Sequence, residues 1–177
     1  MIFRETELKG VFVIELEKKK DARGFFARTW CQQEFNAHGL DTSLVQCNIS
    51  FNRKSGTLRG MHYQLAPYDE VKLVRCTHGS IYDVVIDLRP GSPTYKRHIG
   101  ITLSADNYKM LYIPKGIAHG FQTLEDNTEI FYQMSEFYRP EYTAGVRWDD
   151  STFDINWPPS RERIIAEKDR TWPDFSG

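Results

Sequence analysis

The stretch "VKLVRCTHGSIYDVVIDL", residues 71–88, reads as two consecutive β-type runs, 71–79 and 80–88, meeting at His78-Gly79-Ser80. Working outward, the same pattern repeats. "HIGITL" (98–103), "KMLYIP" (109–114) and "EIFYQMSEFY" (129–138) follow it, and "TLRGMHYQ" (57–64), "LVQCNISFN" (44–52) and "GVFVIEL" (10–16) precede it. Turn residues separate the runs in "RPGSP", "SADN" and "IPKG". Only "CQQEFNAHG" (31–39) reads as helical, ending at Gly39 as helix C-termini often do. Eight or more closely spaced strands with no βα alternation predict an all-β sandwich or jelly roll with few helices. Beyond residue 140 the chain turns polar and irregular, a tail expected to pack back over the barrel.

Composition narrows the class. A chain of 177 residues reads as one domain, able to bury roughly 70% of its unfolded surface. With 40% apolar residues and 14% aromatics, disorder is excluded. Twenty-three basic residues balance 24 acidic ones for a net charge of −1, and no basic block stands out. Nucleic acid is therefore not an expected partner, whereas a few arginines in one cleft can still hold an anionic small ligand. Cys31, Cys47 and Cys76 form neither a CxxC pair nor an even set, which suits a reducing, cytoplasmic setting. The N-terminus "MIFRETELKG" has charges where a signal peptide needs an apolar run. The longest apolar stretches are too short to cross a bilayer, and internal repeats and linkers are absent.

Chemistry-bearing residues cluster around His62. It could be half of a metal site, a proton-transfer group or a satisfied core histidine. A metal site needs several imidazoles at close spacing, but Gln64 follows two residues on and the other histidines (38, 78, 98 and 119) are scattered. Strict alternation puts Arg59 and His62 on opposite strand faces, and a bulge at Gly60 would bring them together. Lys72 sits among apolar neighbours, either as a strand-edge lysine reaching water or as a cation held near a developing oxyanion. Arg59 is either a surface charge or a fork for phosphate or carboxylate. In "EIFYQMSEF", Ile130, Tyr132 and Met134 share one face, which sends the Tyr132 phenol into the interior, where it needs a partner or a task. In "YIPKGIAHGFQTLED" (112–126), Gly120 beside His119 permits close backbone approach to a ligand. "KKKDARGFF" (18–26) is a solvated loop or a lip for a base or a second subunit.

Taken together, "DARGFF", "VQCNISFN", "TLRGMHYQ", "KLVRCTHGSIYDVVIDLR", "SPTY", "IPKGIAHGFQTLED", "YQMSEFYRPE", "GVRWDD" and "WPPS…EKD" resemble the dTDP-4-dehydrorhamnose 3,5-epimerase family over nearly the whole chain. The resemblance implies a cupin-like β jelly roll working without metal or other cofactor, as a homodimer. In it a region of about residues 1–50 completes the neighbour's site, 51–140 forms the barrel core, and 141–177 is the C-terminal tail. It implies His62 as general base with Asp169 as its carboxylate partner, Lys72 facing the sugar's C4 oxygen, and Tyr132 as the opposing proton donor. Arg23, Gln46, Asn48, Arg59, His119 and Lys168 fall at ligand-contact positions, and Tyr138 at an aromatic position near the site. Arg28 stands at a nucleotide-contacting position that is usually glutamate, and Thr143 where an acidic residue is common. A CDP- or GDP-linked substrate, inverted at C3, C5 or both, is therefore the alternative to a dTDP sugar. A non-catalytic sugar-nucleotide binding module and a metal-dependent cupin enzyme are the rival classes.

The residue types suit such a reaction. A ketone at C4 acidifies the C–H bonds at C3 and C5, because the carbanion delocalises onto the oxygen as an enolate. Inversion needs a base on one face of the carbon and an acid on the other, so one histidine and one tyrosine suffice.

Overall fold

Residues 72–78 and 80–87 do form the two expected strands, but each belongs to a different sheet. The structure, a computed structural model, describes residues 1–177. The first part of the chain forms β1 (Ile2–Glu5), β2 (Phe12–Glu15), β3 (Lys19–Asp21), β4 (Gly24–Phe26), helix α1 (Gln32–Ala37) and β5 (Gln46–Asn52). Next come β6 (Thr57–Gln64), β7 (Lys72–His78), β8 (Ser80–Asp87), β9 (His98–Ser104), β10 (Met110–Ile113), β11 (Ile117–Thr123) and β12 (Thr128–Met134). The tail contributes β13 (Thr143–Gly145), β14 (Ile164–Ile165) and the one-turn helix α2 (Glu167–Arg170).

One sheet runs β1-β2-β10-β7-β12-β5 and the other β13-β6-β11-β8-β9, with β14 added beside β6. The all-β sandwich or jelly roll predicted from strand spacing is observed as two facing sheets. Gly79, at φ +72°, makes the crossing from β7 to β8, and a Cβ there would lie 2.6 Å from the Thr128 hydroxyl oxygen. No helix is long and apolar enough to cross a membrane, and all three cysteines are free thiols.

Period-2 alternation explains where each face goes. On β7, Val74 and Cys76 enter the core between the sheets, which also holds Ile81 and Val85 of β8 and Ile130 of β12. Val71 and Leu73 turn outward against Phe35 of α1 and Tyr112. Lys72 thus shares the inward face with Val74, on a strand flanked by β10 and β12, and is not the strand-edge lysine its neighbours permit. The outer face of the second sheet is covered too. Met61, Val84, Ile86 and Ala118 pack beneath Val146 and Phe153 of the tail, as expected for a segment returning over the barrel. That cover explains why β11 went unread as a strand: "IAHGFQT" is buried on both sides, so it lacks the apolar–polar alternation of a half-exposed strand.

Asp87 ends β8 as a fully buried carboxylate. It accepts bonds from Arg89 Nε at 2.8 Å and Nη2 at 2.7 Å, and from the hydroxyls of Ser92 at 2.5 Å and Thr94 at 2.6 Å. Burial alone would raise its pKa, but these donors together hold the carboxyl well below the usual carboxylate range. A depressed folded-state pKa contributes stability that is present above the unfolded value of about 3.9 and is lost as pH falls below it. Asp87→Asn leaves the Arg89 charge short of its partner and is expected to cost about 3–5 kcal/mol, read as a fall in urea midpoint at pH 7. The deficit should shrink toward zero in acid, where the wild-type carboxylate is itself protonated.

Candidate active site

Between the two sheets opens a cavity of about 550 Å³, within the usual range for small-molecule sites. His62 enters from β6 in one sheet, and Tyr132 from β12 and Lys72 from β7 in the other. The three therefore face a common space from opposite walls.

The bulge at Gly60 is present. His119 of β11 pairs with His62, while Phe121 pairs with Arg59, so three steps on β6 oppose two on β11. Arg59 and His62 consequently both line the cavity. Glycine is required on both strands at this crossing: Gly60 has φ +130°, and a Cβ on it would fall 2.5 Å from the Gly120 Cα. The close approach read at Gly120 is thus to another backbone.

His62 Nε2 lies 2.6 Å from Asp169 Oδ1. Asp169 is buried, and its other oxygen accepts the Gly60 amide at 3.2 Å. Burial opposes ionisation of this carboxyl, but the imidazole and that amide outweigh it and hold its pKa below the usual range. A carboxylate at Nε2 leaves Nδ1 as the nitrogen available to a ligand. Trp172 stands edge-on to the imidazole at 6.5 Å between centroids. The tail delivers this second member of the pair, 107 residues away in the chain.

On the opposite wall, Lys72 Nζ is 2.5 Å from Glu70 Oε1, with only 12% and 3% of the two side chains exposed. Burial pushes the Tyr132 phenol up; the Arg59 charge pulls it back, and Tyr138 and Glu70 add to the rise. The hydroxyl therefore stays protonated at neutral pH, the state a proton donor needs. Tyr138 and Lys168 line the mouth, and His119 lies beside His62 with its Nε2 3.0 Å from Asp83 Oδ2.

Eight of the sequence-predicted residues thus line one cavity: His62, Lys72, Tyr132, Asp169, Arg59, His119, Tyr138 and Lys168. Gln46 and Asn48 sit on β5 beside that wall, as the cross-strand partners of Met134 and Tyr132. Asn48 Nδ2 is 3.5 Å from the Met134 sulfur, and Gln46 Oε1 accepts the Tyr138 amide at 3.1 Å. Arg23 and Arg28 are outside it in the single chain. Arg23 pairs with Asp21 on the protruding β3–β4 hairpin, and Arg28 pairs with Glu34 at 2.7 Å. Sequence reasoning missed Glu70 and Asp83, although an aspartate on the inward face of "SIYDVVID" was a visible anomaly. No three His, Cys, Asp or Glu side chains converge as a metal site would require.

The model of the dTDP-4-dehydrorhamnose 3,5-epimerase family matches residues 5–177. The chain belongs to this family. The Escherichia coli dTDP-4-dehydrorhamnose 3,5-epimerase is 42% identical over 93% of this chain and 89% of its own. The crystal structure of the Bacillus anthracis enzyme with TDP and PPi bound superposes with a TM-score of 0.94 at 38% identity, covering 98% of this chain and 99% of that one. A 3'-monoepimerase from Streptomyces bikiniensis in complex with dTDP-quinovose is more distant, at 29% identity and a TM-score of 0.88 over 96% and 85%. Family membership makes the fold a cupin-like jelly roll and the protein an epimerase of the isomerase class. The 3,5-epimerase relatives match along almost the whole barrel and tail, so the His62 and Tyr132 walls both lie within the matched region.

Proposed function

We propose that this epimerase inverts a dTDP-linked 4-keto-6-deoxyhexose at C3 and C5, with His62 abstracting the proton and Tyr132 returning one from the opposite face. The observation that carries the reading is the disposition across one cavity, with an aspartate-backed imidazole on one sheet and a protonated phenol on the facing one. A ketosugar lying between them presents opposite faces of a carbon to base and acid. Lys72, held by Glu70 on the phenol's wall, supplies positive charge to the oxygen that takes up the enolate's electrons, a contribution of roughly 10²–10³-fold for such a donor. Asp169 fixes the His62 tautomer and stabilises the imidazolium formed on proton transfer.

The thymidine assignment rests on the dTDP-sugar relatives. Arg28 does not weigh against it, because Glu34 neutralises that guanidinium and keeps a carboxylate beside it. Arg23 rides on a hairpin whose Phe25 and Phe26 are 40% and 72% exposed, and Ile49 and Phe51 of edge strand β5 are also exposed. These apolar surfaces support a homodimer in which the hairpin reaches a second copy's cavity. The product suits a deoxysugar destined for surface glycans or a glycosylated metabolite.

Incubation in heavy water with the dTDP-linked ketosugar is expected to place deuterium at both C3 and C5. Label at C3 alone would make the enzyme a monoepimerase. No label with dTDP, CDP or GDP ketosugars would end the epimerase assignment.

A further inference from the structure

His119 is the cross-strand partner of His62, and each imidazole is backed by an aspartate. The Asp83 carboxylate is fully buried, extending inward from β8 between Ile81 and Val85. Its oxygens lie 3.0 and 2.9 Å from His119 Nε2, and one of them, Oδ1, has no aligned donor. Burial pushes this carboxyl up, while His119 and Lys72 draw it back. A carboxylate acceptor at Nε2 places the ring proton there and leaves Nδ1 as a bare acceptor. Nδ1 has no partner within the protein and is not sealed from solvent, and His119 lines the cavity with 12% of its side chain exposed.

We propose that Asp83 is a positioning residue that holds the His119 imidazole with bare Nδ1 toward the cavity, where it accepts a hydrogen bond from a ring hydroxyl of the sugar. The assignment rests on the ketosugar reading above and deepens it. A bare nitrogen with a carboxylate behind it disfavours phosphate and attracts an O–H donor, and the hydroxyls at C2 and C3 are the donors of a 4-keto-6-deoxyhexose. Paired residues on adjacent strands have Cβ atoms about 5 Å apart. His119 therefore sits one or two ring positions from the carbon that His62 addresses.

The experiment compares solvent exchange at C5 for the full ketosugar and its 2-deoxy and 3-deoxy analogues, in wild type and Asp83→Asn. A site built to bond a hydroxyl rejects the analogue lacking it, here expected by about 10²-fold in kcat/KM for one of the two analogues. Asparagine can donate to Nε2, which moves the proton to Nδ1 and removes the acceptor. Asp83→Asn should therefore lose roughly 10²-fold on the full sugar, chiefly in KM, and discriminate little between the sugars. Equal losses on all three sugars, the result of a merely structural role, would overturn the proposal, as would unchanged discrimination. Should the variant not fold, the ¹⁵N signals of His119 in the wild type decide. Protonated Nε2 with bare Nδ1 is expected, and a proton on Nδ1 contradicts it. If wild type exchanges no deuterium with any sugar, the reaction assigned above has failed and this role falls with it; normal exchange without discrimination counts against Asp83 alone.

Discussion

His62→Ala is expected to lower kcat by roughly 10²–10⁴-fold and to stop deuterium from entering C3 or C5, with dTDP binding little changed. No other group is free to replace the imidazole as base. Glu70 is held by Lys72 at 2.5 Å, and Asp169 is buried behind the ring it serves. His119 Nε2 is committed to Asp83, and its Nδ1, in the role assigned above, accepts a sugar hydroxyl and is not aimed at a carbon-bound proton. The loss falls on kcat because the imidazole's largest energetic task arises only as the proton moves. His62→Ala retaining exchange within a factor of ten of wild type, by NMR of the recovered sugar, would remove His62 as the base.

Tyr132→Phe separates abstraction from inversion. In the proposed reaction the base and its aspartate are untouched, so the enolate is expected to form still, with Lys72 facing its oxygen. What disappears is the phenol that β12 presents to the cavity, between Ile130 and Met134, which line it too. The His62 imidazolium then returns a proton, or a deuteron after solvent exchange, to the face it came from. Epimerisation is expected to fall by about 10²–10⁴-fold while exchange with retention continues at a much higher rate. Equal loss of exchange and inversion would mean that the phenol takes part in abstraction itself. The hydroxyl deletion also lowers the polarity of a wall that already holds Lys72 and Glu70, so melting temperature serves as the control for folding.

Particular elements show how far a sequence reading reaches. Tyr132 was legible because period-2 alternation is a local property: once "EIFYQM" is a strand, Ile130, Tyr132 and Met134 must share a face. The bulge at Gly60 was legible as a need, since Arg59 and His62 could meet only through an extra residue, and the register to β11 supplies it. Strand β11 was hidden because the tail covers its outer face, which removes the alternation that marks a strand. Asp169 carried no local signal at all; only resemblance to a family tied it to His62.

The amino-acid sequence by itself determined the strand-rich jelly roll, the inward face of β12 and the absence of a local metal-ligand spacing, because these depend on neighbours within a few residues. Only the tertiary structure decided that Lys72 is buried with Glu70, that His119 rests on Asp83, 36 residues away, and that Asp169 meets His62 across 107 residues. Such pairings depend on how sheets face each other and where loops close, and a carboxylate's partner within a low-dielectric interior is selected by that geometry rather than by sequence spacing.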